Sequence, residues 1–305
     1  PKPVTFKIKD SQKHTNYKIY YSYKYKYDDS HIDSEPYVIA DSKDASITNL
    51  EFNKQYYFKV TANSQTIERG TFTTKPGILN NLDVDGMKNV RDLGGYKTSL
   101  GYFKSRMIFR TSELNNSVMD GENDSYVTDK GANVLIDDFK IKTEIDLRMI
   151  NEEIPAEYKT ESILKAKYGA NVNLYQLNID YNGFNILSEE FRPNIQRFFA
   201  ILADKNNYPM CFHCHIGTDR TGMFAAAIHS LLGSSLDHIY YDYMLSNFAY
   251  IDGTRTEDGI NNSYVNHVKD YQGETLADKA YNLLHEKVGV PTRVLDSIRN
   301  ILLEK

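Results

Sequence analysis

The sequence predicts two domains, an all-β sandwich over residues 1–75 followed by an α/β domain over residues 78–305. Three observations carry this reading. Residues 1–75 fall into short runs rich in Val, Ile, Thr, Tyr and Phe, separated by polar turns. Lys75-Pro76-Gly77 then interrupts strand pairing and forms the natural linker. Beyond it, strand-like apolar runs alternate with segments of helical spacing, the pattern of a sheet wrapped by helices.

Length and charge set the outer bounds. A chain of 305 residues, 41% hydrophobic and 25% charged, has enough apolar sequence for two buried cores. Its net charge of −5 provides no general basic surface for nucleic acid, so attraction for an anionic substrate must be local to a site. No apolar run is long enough to form a transmembrane segment. Two cysteines cannot make a disulfide framework, which leaves the redox compartment open. The start Pro1-Lys2-Pro3, without an initiator methionine or a signal-like segment, reads as a processed or trimmed chain.

Strands are expected at Val4–Ile8, Tyr17–Tyr23, Tyr37–Ala40, Ala45–Leu50, Gln55–Ala62 and Thr66–Thr74. Alternation of Tyr56, Phe58, Val60 and Ala62 places them on one face of a half-buried strand. The tyrosines of Tyr17–Tyr27 read as strand residues with one wet face, with carbohydrate binding as the competing reading. In the second domain Arg91-Asp92-Leu93-Gly94-Gly95 is a turn, and Ile141–Leu147 and Val172–Ile179 are β-rich runs. Phe191, Ile195, Phe198, Phe199 and Leu202 share a helix face, and Leu236–Tyr250, Leu276–Lys287 and Pro291–Leu303 read as further helices.

The chemistry concentrates between Tyr208–Phe212, a short apolar run, and the helix-forming run that begins after Gly222. The intervening His213-Cys214-His215-Ile216-Gly217-Thr218-Asp219-Arg220-Thr221-Gly222 reads as strand, tight loop and helix start. Backbone N–H groups of such a loop converge on one cavity, and the helix dipole adds positive potential there, which suits a phosphate group. The same field stabilises a thiolate on Cys214. Arg220, six residues on, offers a planar fork matching two phosphate oxygens. Thr221 is placed to donate to the Cys214 sulfur, and His213 to orient the loop. Gly217 and Gly222 let backbone approach closely. The loop residues His215, Ile216, Gly217, Thr218, Thr221 and Gly222 are therefore candidate substrate-binding positions. A buried strand cysteine before a solvated turn would explain Cys214 alone, but not this ordered run. A zinc or thiol-redox site on Cys211, Cys214, His213 and His215 is disfavoured because the chain has no other cysteine. A protective disulfide between Cys211 and Cys214 stays open.

These residues resemble the signature loop of cysteine-dependent tyrosine phosphatases, and more narrowly that of the bacterial tyrosine/serine phosphatase family. Asn89-Val90-Arg91-Asp92-Leu93-Gly94-Gly95-Tyr96 is similar to that family's opening motif. Ile108-Phe109-Arg110-Thr111-Ser112, Ile145-Asp146-Leu147-Arg148 and Asp242-Tyr243-Met244-Leu245-Ser246-Asn247 follow in family order, extending the resemblance over about 78–305. Thr218 stands where the family usually carries lysine, which removes a charge from the expected pocket rim. In the first domain, Ile47-Thr48-Asn49-Leu50 followed by Tyr56 resembles a fibronectin type III domain, in which such a tyrosine makes a strand corner.

The resemblance implies a cysteine-phosphatase α/β fold and a phosphomonoester hydrolase needing no cofactor and no metal. Phosphotyrosine in a protein or peptide, or a small phosphomonoester, is the expected substrate. Phosphoserine/threonine and phosphoinositide are the alternatives within the same chemistry, and a non-catalytic phosphoprotein-binding or surface adhesion module is the rival class. A surface partner for the sandwich, and with it a secreted or cell-surface location, follows by analogy, with a cytoplasmic one left open. For the general acid, the resemblance places Asp219 first, against the electrostatic objection that it adjoins Arg220. Asp180 precedes Cys214 by 34 residues, a spacing similar to the movable acid loop of the wider superfamily, and is the second candidate. Arg91 and Asp92 either line the pocket or form an internal ion pair that fixes their turn.

Overall fold

The computed structural model describes residues 3–9, 14–23, 37–40, 44–77, 79, 81–115, 126–249, 251 and 253–305. Tyr25, Tyr27 and Tyr250, which enter the sequence reading, lie outside the described residues. The chain divides into two compact units, Pro1–Ile78 and Leu79–Lys305.

Among the described residues the first unit contains six strands: β1 (Val4–Lys7), β2 (Tyr17–Ser22), β3 (Tyr37–Ala40), β4 (Asp44–Ile47), β5 (Gln55–Ala62) and β6 (Gln65–Thr73). They form a two-stranded sheet, β1-β4, and a four-stranded antiparallel sheet in the order β3-β2-β5-β6. The alternation read from the sequence points inward as expected, because Tyr56, Val60 and Ala62 are buried with Tyr17, Ile19, Ala45 and Ile47. Phe58 is partly buried against the same core. The Tyr56 hydroxyl accepts the Glu51 backbone N–H at 3.0 Å, the contact that a tyrosine at a strand corner makes.

The second unit is built on a five-stranded sheet of order β12-β11-β13-β10-β7, from β7 (Arg91–Asp92), β10 (Ile108–Thr111), β11 (Thr143–Asp146), β12 (Asn173–Gln176) and β13 (Met210–His213). Four strands are parallel and β7 is antiparallel to β10. A smaller sheet, β14-β9-β8, joins Leu303–Glu304, Gly101–Phe103 and Tyr96–Thr98. The central strand β13 carries Cys211 into one core cluster with Phe109 and Phe139, and Phe212 into the other with Phe198 and Phe224. Each such ring contributes about 1.5–3 kcal/mol by leaving water. From Arg220 onward the helix Asp219–Leu231 is buried at every position, as its apolar composition all round requires. No helix among the described residues is long and apolar enough to cross a membrane.

A buried polar cluster ties this helix to the smaller sheet. The Tyr96 hydroxyl lies 2.8 Å from His229 Nδ1 and 2.7 Å from Ser234 Oγ, and the His238 ring stacks on Tyr96 with centroids 4.0 Å apart. Burial, together with the neighbouring His229, pulls His238 down to about 3 against the opposing pull of Asp242. The folded value lies below the ordinary value of about 6.5, so the unfolded chain binds this proton more tightly. The corresponding stability is present above about pH 6.5 and is lost as pH falls toward the folded value, at about 1.4 kcal/mol per pH unit. Urea denaturation between about pH 6.5 and 5 should therefore show a flatter stability profile in His238→Phe than in the parent. An unchanged slope would exclude His238 as its source.

Candidate active site

The parallel strands all end on one side of the sheet, where α/β folds build their sites. β13 delivers Cys214 into the loop, and the helix that follows starts at Asp219, so the expected strand, loop and helix are all present. Cys214 is 2% exposed. Cys211 faces the opposite core cluster from Cys214, so the disulfide left open by the sequence would require the strand to rotate.

The loop is held by its carbonyls. The Cys214 carbonyl accepts from His213 Nδ1 at 3.0 Å, and the His215 carbonyl accepts the Glu113 N–H at 2.8 Å. Asn89 Nδ2 reaches the Ile216 carbonyl at 3.1 Å. Arg110 Nη2 donates to the Gly217 and Thr218 carbonyls at 2.7 and 3.1 Å. Five consecutive carbonyls are thus tied to the scaffold. The N–H groups of Ile216, Gly217 and Thr218 find no acceptor among the described residues. Gly217, at φ 69°, makes this path possible, because a Cβ there would lie 2.1 Å from the Thr111 carbonyl oxygen. The close approach is therefore to the backbone beyond β10. Gly222 serves helix packing, since its Cβ would meet the Tyr243 ring at 2.8 Å.

Arg110 can grip the loop because of Asp242. Arg110 and Arg91 face each other across β10 and β7, and Asp242 from the Leu236–Met244 helix accepts Arg91 Nε at 2.9 Å on Oδ1 and Arg110 Nη1 on Oδ2. All three side chains are buried. Burial alone would push the Asp242 carboxyl up, but the charges of Arg110 and Arg91 hold it well below the usual range. Burial and the like charge of Arg110 bring Arg91 down to about 9, even with Asp242 opposing. Arg91 also donates to Asn81, Asn89 and Ser246. Of the two readings for Arg91 and Asp92, lining the pocket fails. Arg91 forms the internal ion pair, and Asp92 accepts the backbone N–H of Gly94 at 3.0 Å and of Arg106 at 2.6 Å, closing the turn. Arg148 is likewise internal, paired with Asp146 and Glu113.

Arg220 is held from behind. Glu153 accepts Nη1 and Nη2 at 2.8 Å each, and the Ile179 carbonyl accepts Nη1 at 2.9 Å. Of the five guanidinium N–H groups, Nε–H and one on Nη2 are left without a partner among the described residues, and Nε is buried. That pair forms the side-on fork which fits two oxygens of one phosphate. Burial would lower the Arg220 pKa, but the hydrogen bonds and charge of Glu153, with the charge of Cys214, raise it.

Other candidates sit differently from expectation. The Thr221 hydroxyl is buried with no hydrogen-bond partner among the described residues, so the expected bond to the Cys214 sulfur is not formed. Thr218 is fully buried and its Oγ1 lies 3.0 Å from Asn89 Nδ2, so this side chain faces the scaffold and only its N–H can serve a ligand. His215 Nε2 lies 3.2 Å from Glu113 Oε1. His213 has the expected orienting role. Burial would pull its pKa down, but Asp146 and Glu144 raise it, and its Nδ1 and Nε2 face the Cys214 carbonyl and the Glu144 carboxylate. Glu144, Asp146 and His213 lie close enough together to hold a cation, yet Ser162, Arg148 and His213 itself occupy the carboxylates.

The two aspartates contrast. Asp219 receives the Tyr243 hydroxyl on Oδ1 at 2.7 Å, and Arg255 at 3.2 Å on both oxygens. Asp180 accepts Asn182 N and Nδ2 on Oδ1 at 2.9 and 3.3 Å, and its Oδ2 has no partner among the described residues. It lies between Ile179, whose carbonyl binds Arg220, and Tyr181, whose ring centroid is 6.0 Å from the Arg220 guanidinium carbon. Sequence reasoning missed Glu153, Asn89, Arg255 and Tyr181. For Glu153 the only local signal is an acidic pair, Glu152-Glu153, following the Arg148 strand end.

A buried cysteine, loop amides without acceptors among the described residues and an arginine fork suit a cysteine-based phosphate-handling enzyme. Residues 82–304 match the tyrosine phosphatase family, and the chain belongs to that family. It is a phosphatase. Among solved structures it is similar to the core catalytic domain of the PP-IP phosphatase SIW14 from S. cerevisiae in complex with citrate. The two share 21% identity over 59% of this chain and 86% of that one, with a TM-score of 0.39. A second structure of the Siw14 catalytic core shares 18% identity over 69% of this chain and 98% of that one, with a TM-score of 0.40. No curated protein is similar enough to match.

The Glu153 pair gives a direct test of how Arg220 is held. Glu153→Gln should leave the fold intact and lower kcat/KM for an aryl phosphate by on the order of a hundredfold, because a misplaced guanidinium loses its alignment with the phosphate. Unchanged kinetics would show that Arg220 needs no support from Glu153.

Proposed function

We propose that this phosphatase works through a covalent phosphocysteine on Cys214, and that its substrates are phosphotyrosine proteins or peptides. The supporting observation is the set of loop amides and the Arg220 fork left without partners around a buried thiol, while the loop carbonyls are all tied elsewhere. Cys214 attacks phosphorus as the bond to the leaving oxygen breaks and that oxygen takes a proton. The amides and Arg220 follow the charge on the equatorial oxygens. Water then attacks phosphorus, its proton passes to the carboxylate that acted as acid, and the S–P bond breaks to release phosphate and the thiolate. Cys214→Ser should abolish turnover while inorganic phosphate still binds by calorimetry, and Arg220→Lys should lose most activity because a point charge cannot hold two oxygens. A folded Cys214→Ser protein that no longer binds phosphate, or a fully active Arg220→Lys enzyme, would overturn the site.

For the acid we propose Asp180, reversing the order in which the resemblance puts the two aspartates. Both oxygens of Asp219 receive donors, the arrangement of an acceptor, whereas Asp180 Oδ2 is open in a segment that touches Arg220. Asp180→Asn should slow a phenol-like leaving group far more than a nitrophenol-like one and remove the basic limb of the pH profile. Asp219→Asn should slow both substrates alike. The assignment fails if the leaving-group dependence belongs to Asp219.

For the first unit we propose a fibronectin type III-like sandwich serving to space or dock the enzyme. Its two antiparallel sheets and the Tyr56 corner support this reading. An experimental structure with a different strand order would remove the basis for it.

A further inference from the structure

Asp219 sets the phosphate loop an electrostatic problem. It stands between Thr218, whose backbone N–H finds no acceptor among the described residues, and Arg220, whose Nε-side fork has no partner there either. Consecutive Cα atoms are about 3.8 Å apart, so the Asp219 carboxylate acts on any anion held by those two donors from within the Debye length of about 8–10 Å. A carboxylate in a first helical turn suits the helix dipole, which accounts for its place at the start of the Asp219–Leu231 helix. It does not suit a phosphate bound at the same helix end. At an effective dielectric of about 20, two unit charges about 8 Å apart repel by more than tenfold in affinity.

The stretch from 242 to 255 answers that charge. Arg255 brings Nε within 3.2 Å of both Asp219 oxygens and Nη2 within 3.2 Å of Oδ2. The two side chains are only 23% and 12% exposed, which shelters the pair from full screening by salt. The Arg255 backbone is itself clipped, because its N–H donates to Asn247 Oδ1 at 2.8 Å and its carbonyl accepts Asn247 Nδ2 at 3.0 Å. Burial would lower the Arg255 pKa, but the hydrogen bond and charge of Asp219 raise it, so the cation persists. The Tyr243 hydroxyl donates to Asp219 Oδ1 at 2.7 Å, and burial together with the Asp219 charge keeps that phenol neutral. The motif Asp242-Tyr243-Met244-Leu245-Ser246-Asn247 thus reaches the loop three times: through Asp242 and Arg110 on its carbonyls, through Tyr243 on Asp219, and through Asn247 and Arg255 on the same carboxylate. Of these contacts, only the last brings Asp219 a compensating charge.

We infer that Arg255 is a positioning residue for the phosphatase reaction, one that acts through Asp219: it cancels the carboxylate charge at the phosphate site, so that the loop amides and Arg220 attract the phosphate unopposed. The inference rests on the phosphate site assigned above and is tested by binding, which does not require turnover. In a Cys214→Ser background, calorimetry with inorganic phosphate should show that Arg255→Gln weakens binding by roughly tenfold. Adding Asp219→Asn to that variant should return the affinity to within about threefold of the Cys214→Ser protein, since the net charge at the site is then restored. Asp219→Asn with Arg255 in place should tighten phosphate binding, because the cation is then unopposed. A pair that served only to brace the loop would behave differently, since losing both partners would bind phosphate no better than losing one. Circular dichroism checks that each variant is folded, and the Asp219→Asn result decides by itself if Arg255→Gln is not. Unchanged affinity in Arg255→Gln, a double variant as weak as Arg255→Gln, or unchanged or weaker binding in Asp219→Asn would overturn the role of Arg255 and leave the phosphate site standing. A folded Cys214→Ser protein that binds no phosphate would overturn the inference together with the site on which it rests.

Discussion

The site depends on one buried carboxylate. Arg110 and Arg91 are brought face to face by strand pairing, an arrangement that repels in a dry interior, and Asp242 answers both. Because Asp242 takes only part of Arg110, the other amino group is available to hold the carbonyls of Gly217 and Thr218. Removing one partner of such a buried network strands the others, at about 3–5 kcal/mol. The loop from Cys214 to Thr218 is therefore the far end of an ionic chain that starts on a strand and passes through a helix. Loop geometry, catalytic charge and core stability share a common origin here.

Support from behind is the theme of the whole site. Asn89 adopts a left-handed backbone at φ 56°, which asparagine tolerates, and from there reaches the loop. Glu153 and the Ile179 carbonyl take three N–H groups of Arg220 and leave the Nε-side fork without a partner among the described residues. Rigid supports of this kind hold donors ready before the substrate arrives, which is how electrostatic stabilisation acts without reorganisation during reaction.

What could be read from the sequence was local. The order of residues from Cys214 to Gly222 reveals a loop because strand, turn and helix signals adjoin, and the six strands of the first unit declare themselves by alternation and turn residues. Glu153 lies 67 residues from Arg220, and Arg255 lies 36 from Asp219, so those pairs exist only once the sheet has formed. Arg91 and Asp92 were ambiguous for the same reason, since an arginine beside a glycine turn looks alike whether its carboxylate partner is a substrate neighbour or a distant helix residue. Thr218 misled differently. A family comparison locates the position but not the direction of its side chain, which here turns toward Asn89. The short strands of the smaller sheet are two or three residues each and leave no periodicity to detect.

The placement of Cys211 on β13 and of Cys214 just past its end, in separate core clusters, has a consequence for survival under oxidative stress. The chain has only Cys211 and Cys214, and the first is sealed in the other core with its thiol pushed well up by burial. A sulfenic acid formed on Cys214 has no resolving cysteine in its own chain with which to condense. It is left to a thiol from solution, to closure onto a backbone nitrogen as a sulfenamide, or to the irreversible sulfinic state. Narrow access to a sulfur on a residue that is 2% exposed then becomes the protein's own defence, with the bulk of an oxidant deciding whether it reaches that sulfur.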